Sequence, residues 1–155
     1  QCGKEMVMSL LKKGMLFTLV LVIFFTASCI ICSAKENGIP DILLRGLVTY
    51  KAKGADAAMT AWIKGSPIEG DKTALSQANI FRQIESLYGA YIGYDLIRIV
   101  DITPSSKLVY IQMNFEKGPV FASFLCYLKK TEWIIENLDF NTAPDKILPS
   151  DLLFP

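Results

Sequence analysis

The chain has 155 residues, 52% of them apolar and 20% charged, with a formal net charge of +1. That length suits one domain of ordinary size, and the apolar content argues against disorder. The charge balance argues against a nucleic-acid binder, which needs a basic surplus or stripe, and the absence of histidine removes most metal and general-base chemistry.

The first segment reads as an export leader. Lys12 and Lys13 precede the uncharged run that extends from Met15 to Ala34, and small residues Thr26, Ala27 and Ser28 follow its greasiest part. A basic start, an apolar middle and a small-residue exit make a secretory signal. Met6 or Met8 is a sensible initiator, which sets residues 1–5 aside. Three fates stay open. Cleavage after Ala34 releases a soluble protein. Cleavage before Cys29 yields a bacterial lipoprotein, since Thr26-Ala27-Ser28-Cys29 resembles a lipobox, with Thr26 departing from the usual Leu, Val or Ile. Retention leaves an N-terminal membrane anchor, because about 20 apolar residues span a bilayer. Each fate places the folded part outside the cytoplasm, in the periplasm or cell envelope, with the membrane met only through the N-terminal segment.

Residues 1–34 carry Lys4, Lys12, Lys13 and Glu5, so without them the net charge falls from +1 to −1. Of the four cysteines only Cys126 remains. A single thiol forms no internal disulfide, and on a strand it reads as a small buried residue.

Residues 35–40 are a linker, with Asn37-Gly38-Ile39-Pro40 as a turn. From Asp41 to Lys53, Leu43, Leu44, Leu47, Val48 and Tyr50 follow helical spacing, and Gly54 is a stop. Ala55 to Lys64 is a second helix with Ala58, Met59 and Trp62 on one face. Ser66-Pro67-Ile68-Glu69 is a capping-box pattern cut short by Gly70. Asp71 or Thr73 then caps a longer helix to about Tyr88, with the stripe Gln77, Ile80, Phe81, Ile84, Leu87, Tyr88. After Gly89 the pattern becomes β-branched and aromatic. Tyr91–Ile102, Leu108–Phe115, Val120–Leu128 and Trp133–Phe140 are four strands joined by short turns, an antiparallel meander. The tail from Asn141, with Pro144, Pro149 and Pro155, is irregular. Helices first and a meander after make an α+β fold: N-terminal helices packed on a curved four-stranded antiparallel sheet over residues 41–143, with 144–155 as a C-terminal tail. Both faces of the strands are rich in apolar residues, so both are covered, or one lines a pocket or an interface.

The order of three helices and four strands, with the long third helix leading straight into Tyr91–Ile102 and the hairpin Leu108–Phe115/Val120–Leu128, resembles the nuclear transport factor two-like (cystatin-like, cone-shaped) superfamily. The ending Trp133-Ile-Ile-Glu-Asn-Leu-Asp-Phe-Asn-Thr142 resembles the last strand of small exported bacterial proteins of that kind. The resemblance implies a cone-like domain that serves either as a small isomerase or lyase or as a non-catalytic binding module, and fold alone does not choose between them.

For the enzyme reading, the candidate carboxylate is Asp139, with Tyr94 or Tyr110 to hold an oxyanion; a carboxylate and a tyrosine in an apolar cavity are the parts of ketosteroid isomerase, the known case of such tuning. Strand alternation places Glu136 with Leu138 and Phe140, and Asp139 with Trp133, Ile135 and Asn137. The plainer reading is that Asp139-Phe140-Asn141 ends a strand. No cofactor motif and no metal-ligand spacing is present, and no serine or cysteine has a histidine partner. Lys129-Lys130 reads as a solvated hairpin tip. For the binding reading, Trp62, Tyr88, Tyr91, Phe124 and Trp133 are the candidate walls of a pocket for a small apolar ligand, and the apolar second face of the sheet is a candidate homodimer surface. Missing catalytic residue types favour binding over catalysis.

Overall fold

The computed structural model describes residues 38–70 and 72–154. The expected leader over residues 1–34, including Cys29, lies outside the described residues. Among the described residues no helix is long and apolar enough to cross a membrane.

Helix α1, Asp41–Lys53, buries Ile42, Leu43, Gly46, Leu47 and Tyr50, one stripe of a 3.6-residue period. Asp41 in its first turn and Lys51 and Lys53 in its last oppose the helix dipole. Gly54 ends it with φ near 81°, and its N–H donates to the Tyr50 carbonyl at 2.8 Å. Helix α2, Ala55–Ile63, follows at once and buries Ala55, Ala58, Met59 and Trp62. The indole of Trp62 lies against Gly46 of α1 and donates to the Leu43 carbonyl at 3.1 Å. A Cβ on Gly46 would fall inside that indole, so the glycine that weakens α1 as a helix is what lets the two helices close. The capping-box sequence forms a turn: Glu69 accepts from the Gly65 N–H at 2.7 Å, and Ser66 Oγ from the Ile68 N–H at 3.3 Å. Helix α3, Lys72–Tyr88, contributes the buried Phe81 and Ile84, and Arg82 ties it to Asp56 of α2 at 2.8 Å.

Strands β1 (Tyr91–Thr103), β2 (Ser106–Phe115), β3 (Gly118–Lys129) and β4 (Glu132–Asn141) form one antiparallel sheet in chain order. The fold is therefore α+β, helices first and meander after. The pairing of β1 with β2 is interrupted at three places, and each interruption adds local bend and twist. Facing the helices are Val109, Ile111, Met113 and Phe115 of β2, Val120, Ala122, Phe124 and Cys126 of β3, and Ile135, Leu138 and Phe140 of β4, joining the helix residues in one core.

The face assignment on β4 needs correction. Leu125 pairs with Asn137 and Cys126 with Ile135, so Glu136 is an extra residue on β4. This bulge reverses the alternation, and fully buried Ile135 shares the helix side with Leu138 and Phe140, away from Asp139.

The tail is more ordered than its prolines imply. Pro144–Lys146 is a single 3₁₀ turn, and Ser150–Leu153 is a one-turn helix, α4. Asp151 pairs with Arg98 of β1 at 2.6 Å. Arg98 is paired in register with Tyr110, one residue out of step with the core-facing Val109 and Ile111. The chain leaves β4 at one edge and meets β1 at the other, so the tail crosses the second face of the sheet. Tyr110 is buried there, and Leu108, Phe121 and Leu125 are half-buried.

Candidate functional site

The candidate pocket walls divide. Trp62 and Phe124 are fully buried, with ring centroids 5.2 Å apart, and both also contact Phe140. Phe81 completes that cluster. These rings pack in the core between helices and sheet, and neither lines the cleft described below. Tyr91 is half-buried 4.7 Å from the Tyr50 ring and 5.7 Å from Phe115, and burial pushes its phenol upward. Tyr88 packs against the core and lies over Gly118 at the start of β3. Trp133 alone of the five borders an open cleft.

The parts of the enzyme reading do not converge. Asp139 is exposed and accepts from Asn137 Nδ2 at 2.9 Å. Through Ser123, which pairs with both, it shares a face with Tyr110, two strands away and so about 10 Å distant. Tyr94 packs against the core on the opposite face. Asp139 is thus exposed on the strand and not set among apolar side chains, unlike the arrangement the enzyme reading expects. Cys126 is fully buried, and burial pushes its thiol up to about 12, with Lys107 pulling weakly the other way. It is therefore a neutral thiol at ordinary pH and no nucleophile. Among the described residues no three acidic or cysteine side chains come together as a metal site.

An open cleft of about 920 Å³ lies among the described residues. Helix α1 supplies Ile42, Leu44, Arg45, Val48 and Thr49; the end of α2 supplies Ala61, Lys64 and Gly65; the β3–β4 hairpin supplies Lys129 to Ile134. Its volume falls in the range of small-molecule sites, about 300–1,000 Å³. Val48 is 70% exposed in its wall, and Trp133 is half-buried opposite the helices. Four cations border it (Arg45, Lys64, Lys129 and Lys130), against one acid, Glu132. None of the four forms an ion pair among the described residues. A shallower extension runs along the start of α1 past Asp41. Lys107, outside the cleft, lies 5.8 Å from the Trp133 ring centre while paired with Asp101 at 2.7 Å.

The hairpin tip is unusual. Lys130 has φ near 60°, the one described non-glycine residue with positive φ. Two-residue hairpins usually place glycine or asparagine there. In the sequence Lys129-Lys130 reads only as a solvated turn, and Val48 only as part of a helix stripe. Nothing local shows that a helix, a helix end and a hairpin 80 residues on come together at one cleft; the available signal is Val48 at the margin of its stripe.

No family model matches the chain, and no curated protein or solved structure matches it.

Proposed function

We propose that this protein is a non-enzymatic, exported binding module of the bacterial cell envelope, on a cone-like domain, and that its ligand site is the cleft between α1, the end of α2 and the β3–β4 hairpin. The observation that carries the reading is the cleft itself: about 920 Å³, with Val48 and Trp133 offering apolar surface and, at its border, four cations that form no ion pair among the described residues. Export rests on the basic–apolar–small order of residues 12–34. The exposed Asp139 and the protonated, buried Cys126 support binding over catalysis. The sheet's second face has a simpler occupant than a second copy, since the chain's own tail crosses it and Asp95, Asn114 and Gln112 make part of it polar.

Native mass spectrometry of the protein drawn gently from its envelope fraction tests the reading. A ligand adduct is expected, and it is lost in Val48→Asp while the melting temperature holds. An adduct that survives Val48→Asp places binding elsewhere and defeats the cleft assignment. For the leader, an inhibitor of the lipoprotein peptidase accumulates precursor if Cys29 is lipidated and changes nothing if cleavage falls after Ala34 or the segment is retained.

A further inference from the structure

The residues that border the cleft also define the chemistry of its ligand. Resting on the binding-module reading, we propose that the cleft recognises a small organic anion, a carboxylate or phosphate carried on an apolar body. Three observations converge. The charge is weighted to one sign: Arg45, Lys64, Lys129 and Lys130 border the cleft with one acid, Glu132, and a second, Asp41, on its extension, in a domain whose net charge is slightly negative once residues 1–34 are set aside. The sign of the charge bordering the cleft thus runs against the average of the domain, an arrangement that draws anions inward.

The second observation is that these cations have no intramolecular work. Lys107, Arg82, Arg98 and Lys146 each hold a carboxylate, whereas the four at the cleft hold none among the described residues, as is also true of Lys51, Lys53, Lys72 and Lys117 elsewhere; what sets the four apart is that they border one concavity. Lys130 also occupies a left-handed backbone conformation that glycine would adopt without strain.

Third, the cleft pairs that charge with apolar surface. Val48 stands 70% exposed in a lining that also includes Ile42 and the half-buried Trp133. Exposed ion pairs bind weakly by themselves, so lysines at a surface do not retain a simple inorganic ion. An anion whose body also covers Val48 and Trp133 gains from both terms, and Lys129 and Lys130, adjacent at the hairpin tip, are the cations assigned to its head.

The test uses the full chain held in zwitterionic nanodiscs, with empty nanodiscs as blank, and four probes that share one apolar body: 4-phenylbutyrate, 4-phenylbutyl phosphate, 4-phenylbutan-1-ol and 4-phenylbutylamine. Saturation-transfer NMR titrations are expected to show at least one anion binding about tenfold more tightly than the alcohol, with the amine weakest. The double variant Lys129→Gln/Lys130→Gly removes two exposed charges, one from the end of β3 and one from the turn, and is expected to bring the anion's affinity down to that of the alcohol, leaving the alcohol's own affinity unchanged. Equal binding of anion and alcohol, lost together in Val48→Asp, overturns the anion class but leaves the cleft as a binding site. Anion binding that persists in the double variant overturns the assignment of the head to the hairpin. Absence of binding by every probe overturns the anion proposal.

Discussion

At the scale of single residues, Gly46 and Lys130 are mirror cases. Glycine inside a helix costs about 1 kcal/mol relative to alanine, so propensity alone favours Gly46→Ala. The indole of Trp62 decides otherwise, because the added methyl would occupy its place and break the hydrogen bond to Leu43. Overpacking of a filled core costs about 1–3 kcal/mol, and loss of a buried hydrogen bond adds about 1 kcal/mol more. Gly46→Ala is therefore expected to destabilise by about 2 kcal/mol net, lowering the thermal midpoint by several degrees, as calorimetry would show. An unchanged or raised midpoint would mean that α1 and α2 do not pack through this contact. Lys130→Gly goes the other way. Relief of a left-handed conformation is worth about 1–2 kcal/mol, less the extra chain entropy that glycine loses. The variant is expected to be more stable by about 1 kcal/mol in urea unfolding.

At the scale of elements, the tail and the β4 bulge set the character of the two sheet faces. Arg98 holds the Asp151 carboxyl below its ordinary range, mainly by hydrogen bonding to it. Both groups are well exposed, so this contact positions the tail more than it stabilises the domain. Ile147, Leu148, Leu152 and Leu153 are half-buried along the same tail and are its candidates for an apolar cover. A chain ending at Thr142 is expected to bare Leu108, Phe121 and Leu125 and to self-associate at concentrations where the full chain does not, a difference that light scattering reads directly. If the truncated chain stays monomeric, the tail is not the cover of that face. This is also where legibility from sequence stops. Helix stripes such as Leu43–Leu47–Tyr50 and β-branched runs bounded by Pro104, Gly118 and Lys130 are local patterns, and helices, strands and their order are readable from them. The bulge at Glu136 is set by pairing with β3, so alternation along β4 misplaces Ile135 and with it the surroundings of Asp139. The cleft depends on three distant segments meeting, and no window along the chain contains it.

At the scale of the whole molecule, the single core carries a pH dependence. Cys126, Tyr50 and Tyr91 all join the layer between helices and sheet, and burial is the main reason each holds its proton above its ordinary range. For Cys126 the ordinary value of 9.0 rises to about 12. Between those values the unfolded chain has released the thiol proton and the folded chain still binds it. The unfolded state then holds fewer protons, so stability falls as pH rises. One such group gives a slope of at most about 1.4 kcal/mol per pH unit. The stabilisation is complete below pH 9, and the two tyrosines add to the decline above their ordinary value of 10.0. The thermal midpoint is therefore expected to be free of this decline below pH 9 and to drop steeply above it. Cys126→Ala separates the contributions: it lowers the midpoint at neutral pH through lost packing, yet delays the onset of the alkaline decline toward pH 10. An onset that stays at pH 9 in Cys126→Ala would mean that Cys126 releases its proton as readily folded as unfolded, and that the core at β3 admits water.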